Sequence, residues 1–194
     1  MNKYITFYNF LGTTICFLAL YFTFKLFSDS NSQTNLVINY RNVGFCQTFF
    51  LLEIVNILIG KSNSGILVTF AQLASRLFIS WVVCFAYNLP SKNMNVLMFS
   101  SWYLSDLIRY FYYLTRFSIF KHLRYTLFLV TYPMGTFIEM YGIYLLSRVF
   151  SEKMNCVSIF LCLIMFIYIP GFVFLYTHML KQRRKQINNK TKTD

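Results

Sequence analysis

The sequence predicts an all-α fold, a polytopic membrane protein built as a bundle of six transmembrane helices with both termini cytosolic. Three observations point there. Of 194 residues, 57% are hydrophobic and only 12% charged. The mean hydropathy is +0.50. The apolar residues come in runs of about 20, the length a helix needs to cross the hydrocarbon of a bilayer. Soluble globules carry about a quarter charged residues, which excludes that class. Disordered chains need few aromatics, whereas 21% of this one is Phe, Trp or Tyr.

The first run, Tyr8 to Phe27, is longer than the apolar region of a secretory signal and meets no small-residue cleavage site before Asp29, so it reads as a span. The connection Ser28 to Val43 is polar and Asn-rich, too short for a folded domain, and is expected to be the longest loop. The second span is Gly44 to Gly60 and the third is Gly65 to Tyr87. In the third, Gln72, Ser75 and Arg76 occupy i, i+3 and i+4, a polar stripe that must face the bundle rather than lipid. The fourth span, Met94 to Phe117, holds Asp106 and Arg109, the fifth is Leu123 to Leu146, and the sixth is Cys156 to Leu180. This organisation makes residues 1–180 one membrane domain and 181–194 a basic cytosolic tail. The first three spans do not repeat in the last three, which weakens a transporter reading.

Lys and Arg number 18 against 6 Asp and Glu. They form no stripe on a polar domain, so nucleic acid is not an expected partner. With a cytosolic amino terminus, Lys3, Lys61, Arg116, Lys121, Arg124 and six basic tail residues make eleven on that side. Lys25, Arg41, Lys92, Arg148 and Lys153 make five on the other. The excess favours both termini in the cytosol. The tail ends Lys190-Thr191-Lys192-Thr193-Asp194, a KxKxx pattern similar to the dilysine retrieval signal of endoplasmic reticulum membrane proteins, which works only in the cytosol. The five cysteines show no paired ligand spacing and are expected to be small core residues, with no metal site.

Five ionisable groups fall within the apolar runs: Glu53, Arg76, Asp106, Arg109 and Glu139. Each costs at least about 2.5–3.5 kcal/mol to insert, so each is a candidate functional residue. Asp106 can pair with Arg109 along one helix, and Arg76 with Glu53 or Glu139 across the bundle. Three carboxylates against two guanidiniums leave one carboxyl over, a group placed to exchange a proton.

Tyr132 and Glu139 are seven residues apart, which brings them within about 20° of one helix face. Between them Pro133 removes an amide donor and is expected to kink the helix, and Gly135 leaves room for a neighbour or ligand. Counted from Leu123, Tyr132 lies about 13 Å down the helix and Glu139 about 10 Å further. Lys61, Lys121, Arg124 and Lys181 are candidates to ring the cytosolic mouth and attract phosphates.

Tyr132-Pro133-Met134-Gly135-x-x-x-Glu139, preceded by Leu123-Arg124-Tyr125-Thr126-Leu127-Phe128, resembles the signature of the 3-hydroxyacyl-CoA dehydratases of very-long-chain fatty acid elongation, a family also labelled protein tyrosine phosphatase-like. Leu52-Glu53-Ile54 with Gly60, Thr69-x-x-Gln72-x-x-Ser75-Arg76-Leu77 and Trp102-x-x-Ser105-Asp106-x-Ile108-Arg109-Tyr110-x-Tyr112 extend the likeness, as does Tyr4-x-x-x-Tyr8-Asn9. Asn56 stands where a His is usual, Tyr103 where a Ser is, and Asp106 where a Glu is.

The resemblance implies dehydration of (3R)-3-hydroxyacyl-CoA to trans-2-enoyl-CoA, the third step of each elongation cycle, with no cofactor. It implies Tyr132 and Glu139 as the catalytic pair, with Glu53, Gln72, Arg76, Asp106 and Arg109 as a supporting polar network. It further implies an endoplasmic reticulum location beside the condensing enzyme and the reductases of the cycle. Which of Tyr132 and Glu139 is acid and which is base stays open. The alternative is a catalytically silent scaffold of the elongase complex, against which the retained pair argues. A cysteine phosphatase needs Arg six residues after its nucleophile. Here those positions hold Phe22, Leu52, Pro90, Cys162 and Tyr168, which excludes that activity.

Overall fold

The computed structural model describes residues 3–28, 32–61, 65–151 and 154–190, and every regular element among them is helical. In order these are α1 (Lys3–Ser28), α2 (Gln33–Phe49), α3 (Leu52–Leu58), α4 (Ile66–Phe78) running on into a π-helical segment (Ile79–Ala86), α5 (Lys92–Thr115), α6 (Ser118–Ser151) and α7 (Asn155–Lys190). Among the described residues three stretches are long and apolar enough to cross a membrane: α1, Ile66–Ala86 and Asn155–Lys181.

The polar connection expected over Ser28 to Val43 is instead mostly α2, which begins at Gln33 behind the N-cap Ser32. Three of its polar residues are inside: Asn39, Tyr40 and Gln47 are buried on one face with Val43 and Cys46, while Gln33, Thr34, Asn35 and Arg41 are exposed. Tyr40 accepts a hydrogen bond from the Asn95 amide of α5 at 2.8 Å. A helix that hides amides and a phenol in the bundle looks like a loop in composition. The second predicted span is also not one helix. The backbone tightens to i→i+3 hydrogen bonds through Phe50–Ile54, so α3 leaves α2 after a turn at Phe50 and Leu51. α7 continues as one helix to Lys190, so the first part of the basic stretch from Lys181 is helical. Residues 191–194, which hold most of the KxKxx pattern, lie outside the described residues.

α5 is sandwiched between α1 and α6, and α2 lies on α1 and on the π-helical segment, which reaches back to α6. These five pieces close a ring around a core of Tyr40, Phe50, Phe99, Tyr103 and Tyr110. The residues that depart from the usual pattern are satisfied there. Tyr103 donates to the Val43 carbonyl at 3.0 Å, and Asn56 accepts from the Tyr4 hydroxyl at 2.9 Å. Cys16, Cys46 and Cys84 are in this core as expected, but Cys156 and Cys162 are exposed on α7, and all five are free thiols. α7 packs on the outside of α6, and α4 packs on α2, α3 and the π-helical segment.

The close approach of α1 to α5 depends on Gly12. A Cβ there would meet the Tyr110 ring at 2.8 Å, and Tyr110 is 2% exposed and stacked on Phe50, so it has nowhere to go. Gly12→Ala is therefore expected to destabilise the protein by about 1–3 kcal/mol, the usual cost of overpacking. A thermal melt in detergent checks this; an unchanged midpoint would show that the helices part without penalty.

Candidate active site

Because α4 stands away from α5, α6 and α7, a cavity of about 530 Å³ lies between them. Its walls include Gln72, Ser75 and Arg76 from α4, Ser105, Asp106 and Arg109 from α5, Arg124, Tyr132, Gly135 and Glu139 from α6, and Tyr168 from α7. The stripe on the third predicted span does face the interior. Gln72 is at its exposed end and Arg76 is buried.

The charges are paired in a zigzag across three helices. Arg76 Nη1 donates to Asp106 Oδ2 at 2.6 Å. Asp106 Oδ1 lies 3.5 Å from Arg109 Nη2. Arg109 then grips Glu53 through both Nη atoms, at 2.7 and 2.9 Å. The partner of Arg76 is thus Asp106 rather than Glu53 or Glu139, because Asp106 faces α4 and the turn at Phe50 and Leu51 delivers Glu53 to Arg109 instead. Arg76 also lies over the Trp102 ring, 5.2 Å from its centroid.

Two acids and two guanidiniums balance, and Glu139 is the carboxyl left over. It is 7% exposed, and among the described residues it has no Lys or Arg within ion-pair distance. Its Oε2 accepts hydrogen bonds from Ser75 Oγ at 2.8 Å and from the Tyr168 hydroxyl at 2.9 Å. Ser75 and Tyr168 also hydrogen-bond each other. Oε1 carries neither of these bonds.

Tyr132 is held in a stack of rings. Phe128 lies 4.8 Å and Phe172 5.3 Å from it, centroid to centroid, with planes 23° and 7° from parallel, and Tyr176 extends the stack. Among the described residues nothing hydrogen-bonds its hydroxyl. One turn on, Gly135 lets α5 approach: a Cβ there would meet Trp102 Nε1 at 3.1 Å and Ser101 Oγ at 3.4 Å. α6 carries Pro133 inside its helical span. The cavity therefore holds one unpaired carboxyl and one phenol with a free hydroxyl, a proton acceptor and a proton donor on the same helix.

Of the basic residues expected at the mouth, Arg124 lines the cavity and is braced by the Tyr113 hydroxyl at 3.4 Å. Lys61 and Lys121 do not line it; the Lys61 ammonium sits 3.5 Å over the Tyr4 ring. Tyr168 was not singled out from the sequence. A signal existed, since Tyr168 precedes Pro170-Gly171 much as Tyr132 precedes Pro133 and Gly135. Tyr168→Phe removes one of the two donors to Oε2 and is expected to lower turnover roughly tenfold, the rate equivalent of about 1.4 kcal/mol. Single-turnover kinetics read this directly; an unchanged rate would make the bond merely structural.

The family model described as "Protein tyrosine phosphatase-like protein, PTPLA" matches residues 47–189. The chain belongs to that family. The matched stretch contains every wall of the cavity named above. Very-long-chain (3R)-3-hydroxyacyl-CoA dehydratase 1 of Mus musculus is 32% identical to this PTPLA-family chain, over 96% of the chain and 74% of the relative. The mouse dehydratase 2 is 37% identical over 77% of the chain and 66% of the relative. A probable very-long-chain (3R)-3-hydroxyacyl-CoA dehydratase of Schizosaccharomyces pombe is 31% identical over 94% and 92%. No solved structure matches the PTPLA-family chain.

Proposed function

We propose that this PTPLA-family protein is a membrane-embedded hydro-lyase that converts (3R)-3-hydroxyacyl-CoA to trans-2-enoyl-CoA, the dehydration step of very-long-chain fatty acid elongation. The relatives' names supply the reaction, and one observation carries its assignment to residues. Glu139, a buried carboxyl with no guanidinium partner among the described residues, and Tyr132, a phenol with no hydrogen-bond partner among them, line one cavity.

In this reading Glu139 takes the C2 proton through Oε1, the oxygen left free by Ser75 and Tyr168. The C2–H electrons form the C2=C3 double bond as the C3–O bond breaks. Tyr132 gives its proton to the departing hydroxyl, which leaves as water. Proton return from Glu139 to Tyr132 resets the site. Gln72 and Arg76 line the same chamber and supply donors for the thioester carbonyl, where charge builds as C2 loses its proton. The zigzag through Asp106, Arg109 and Glu53 holds Arg76 in place.

The membrane frame we propose is a bundle of six spans over residues 1–180, in which α2 with α3, α5 and α6 cross beside the three long apolar stretches. Both termini are cytosolic and the 181–194 tail is a retrieval signal of the endoplasmic reticulum. The thioester then enters at Arg124, and the condensing enzyme and reductases of elongation are the partners. The test gives membranes containing the protein a long-chain (3R)-3-hydroxyacyl-CoA and follows enoyl-CoA by chromatography. Formation of the trans-2-enoyl product is expected. Its absence in well-folded protein would favour the silent scaffold.

A further inference from the structure

The catalytic cavity has an inner end and an open side. At the inner end Ser101, Trp102 and Glu139 line the cavity, and beyond them the helices pack closely. One turn past Glu139, Gly142 lies against Val83 and Pro90. Ile138, Ile143 and Leu146 around it are all 4% exposed or less. An acyl chain reaching Glu139 therefore has no path further along α6.

The side between α4 and α7 is different. Val68, Ala71 and Gln72 of α4 and Ile167, Gly171 and Leu175 of α7 all line the cavity. Yet Val68 is 40% and Ile167 67% exposed, and Ala71, Gln72 and Gly171 are exposed as well. The same side chains are at once cavity wall and outer surface, which is the signature of a lateral opening. A Cβ on Gly171 would meet nothing within 4 Å, so the gap is real space. α4 packs on α2, α3 and the π-helical segment rather than on α7, and the two are bridged at the inner end by the hydrogen bond between Ser75 and Tyr168.

We propose that the substrate's acyl tail leaves the catalytic chamber sideways, through the cleft between α4 and α7, and lies in the bilayer while C2 and C3 sit at Glu139 and Tyr132. The occupant is fixed by continuity. The cleft opens directly off the chamber and its rim is mostly apolar. A cavity of about 530 Å³ is the size that encloses a drug-sized ligand, whereas this substrate brings a pantetheine arm and a very long alkyl chain together. Hydrocarbon left in the bilayer stays in its own solvent and needs no matching pocket. The chamber then measures the head of the substrate and not its length, so chains of widely different length are accepted by one site. This inference rests on the dehydratase reading.

The test uses the full chain in lipid nanodiscs with 3-hydroxyacyl-CoA substrates of short and very long chain. For the wild type, kcat/KM is expected to level off as chains lengthen rather than pass through a maximum. Gly171→Phe and Ala71→Phe are expected to lower the ratio of long-chain to short-chain kcat/KM at least tenfold. A substrate carrying a mid-chain diazirine, photolysed on the wild type, is expected to label 68–72 and 167–175. Loss of rate that ignores chain length, or labelling confined to the core around Ile143 and Leu146, overturns the lateral path. The photolabelling decides the matter even where a bulky variant fails to fold. A wild type that dehydrates neither substrate overturns the dehydratase reading, and the inference with it.

Discussion

Glu139→Gln is expected to lower enoyl-CoA formation by about 10²–10⁴-fold, the usual contribution of a positioned acid or base, while leaving the fold intact. The amide is nearly isosteric, and its oxygen can still accept from Ser75 and Tyr168 as Oε2 does now. What it cannot do is take up a proton from carbon. Tyr132→Phe should fall as far for the complementary reason. The ring keeps its stack on Phe128 and Phe172, and only a hydroxyl that none of the described residues bonds is lost. Because the proposed mechanism places both residues in one proton circuit, the double variant should be little worse than either single one, as happens where residues act as a unit. Enoyl-CoA formed per mole of folded protein, with a thermal melt alongside, reads the outcome. Either single variant retaining more than a tenth of wild-type turnover would remove that residue from the chemistry.

That Tyr132 and Glu139 line one cavity was legible because both lie on one helix, where a seven-residue spacing fixes a shared face whatever the rest of the bundle does. The surplus of one carboxyl was legible too, as a count. Which carboxyl is left over was not, because that depends on which helices meet. Arg76 of α4 faces Asp106 of α5, and the turn at Phe50 and Leu51 swings Glu53 onto Arg109. No local pattern encodes either contact. α2 was missed for a related reason. Its buried face uses Asn39, Tyr40 and Gln47, whose polarity is offset in part by tertiary partners such as Asn95 rather than by anything in the local sequence. Tyr168 was hidden by number, as one of 15 tyrosines, and its bond to Glu139 is a contact between helices.

Asp106→Asn should be the most damaging change to stability in the polar network, at about 3–5 kcal/mol, the cost of stranding a buried charge. Asp106 is the node that touches both guanidiniums, and its pair with Arg76 is the more buried of the two strong pairs: side-chain exposures are 11% and 9%, against 22% and 13% for Arg109 and Glu53. Glu53→Gln should cost less, because Arg109 keeps Asp106 at 3.5 Å and its side chain is more exposed than that of Arg76. The double change Arg76→Met with Asp106→Leu removes both charges at once. It strands nothing, and buried pairs replaced in this way are often neutral or even stabilising. Melting in detergent should therefore rank Asp106→Asn lowest, with the double variant restored towards wild type. Activity should not return with stability, since the chamber would have lost the guanidinium proposed to meet the thioester carbonyl. A double variant that melts as low as Asp106→Asn would mean that the pair fixes how α4 meets α5; one that is both stable and active would mean that Arg76 serves the fold alone.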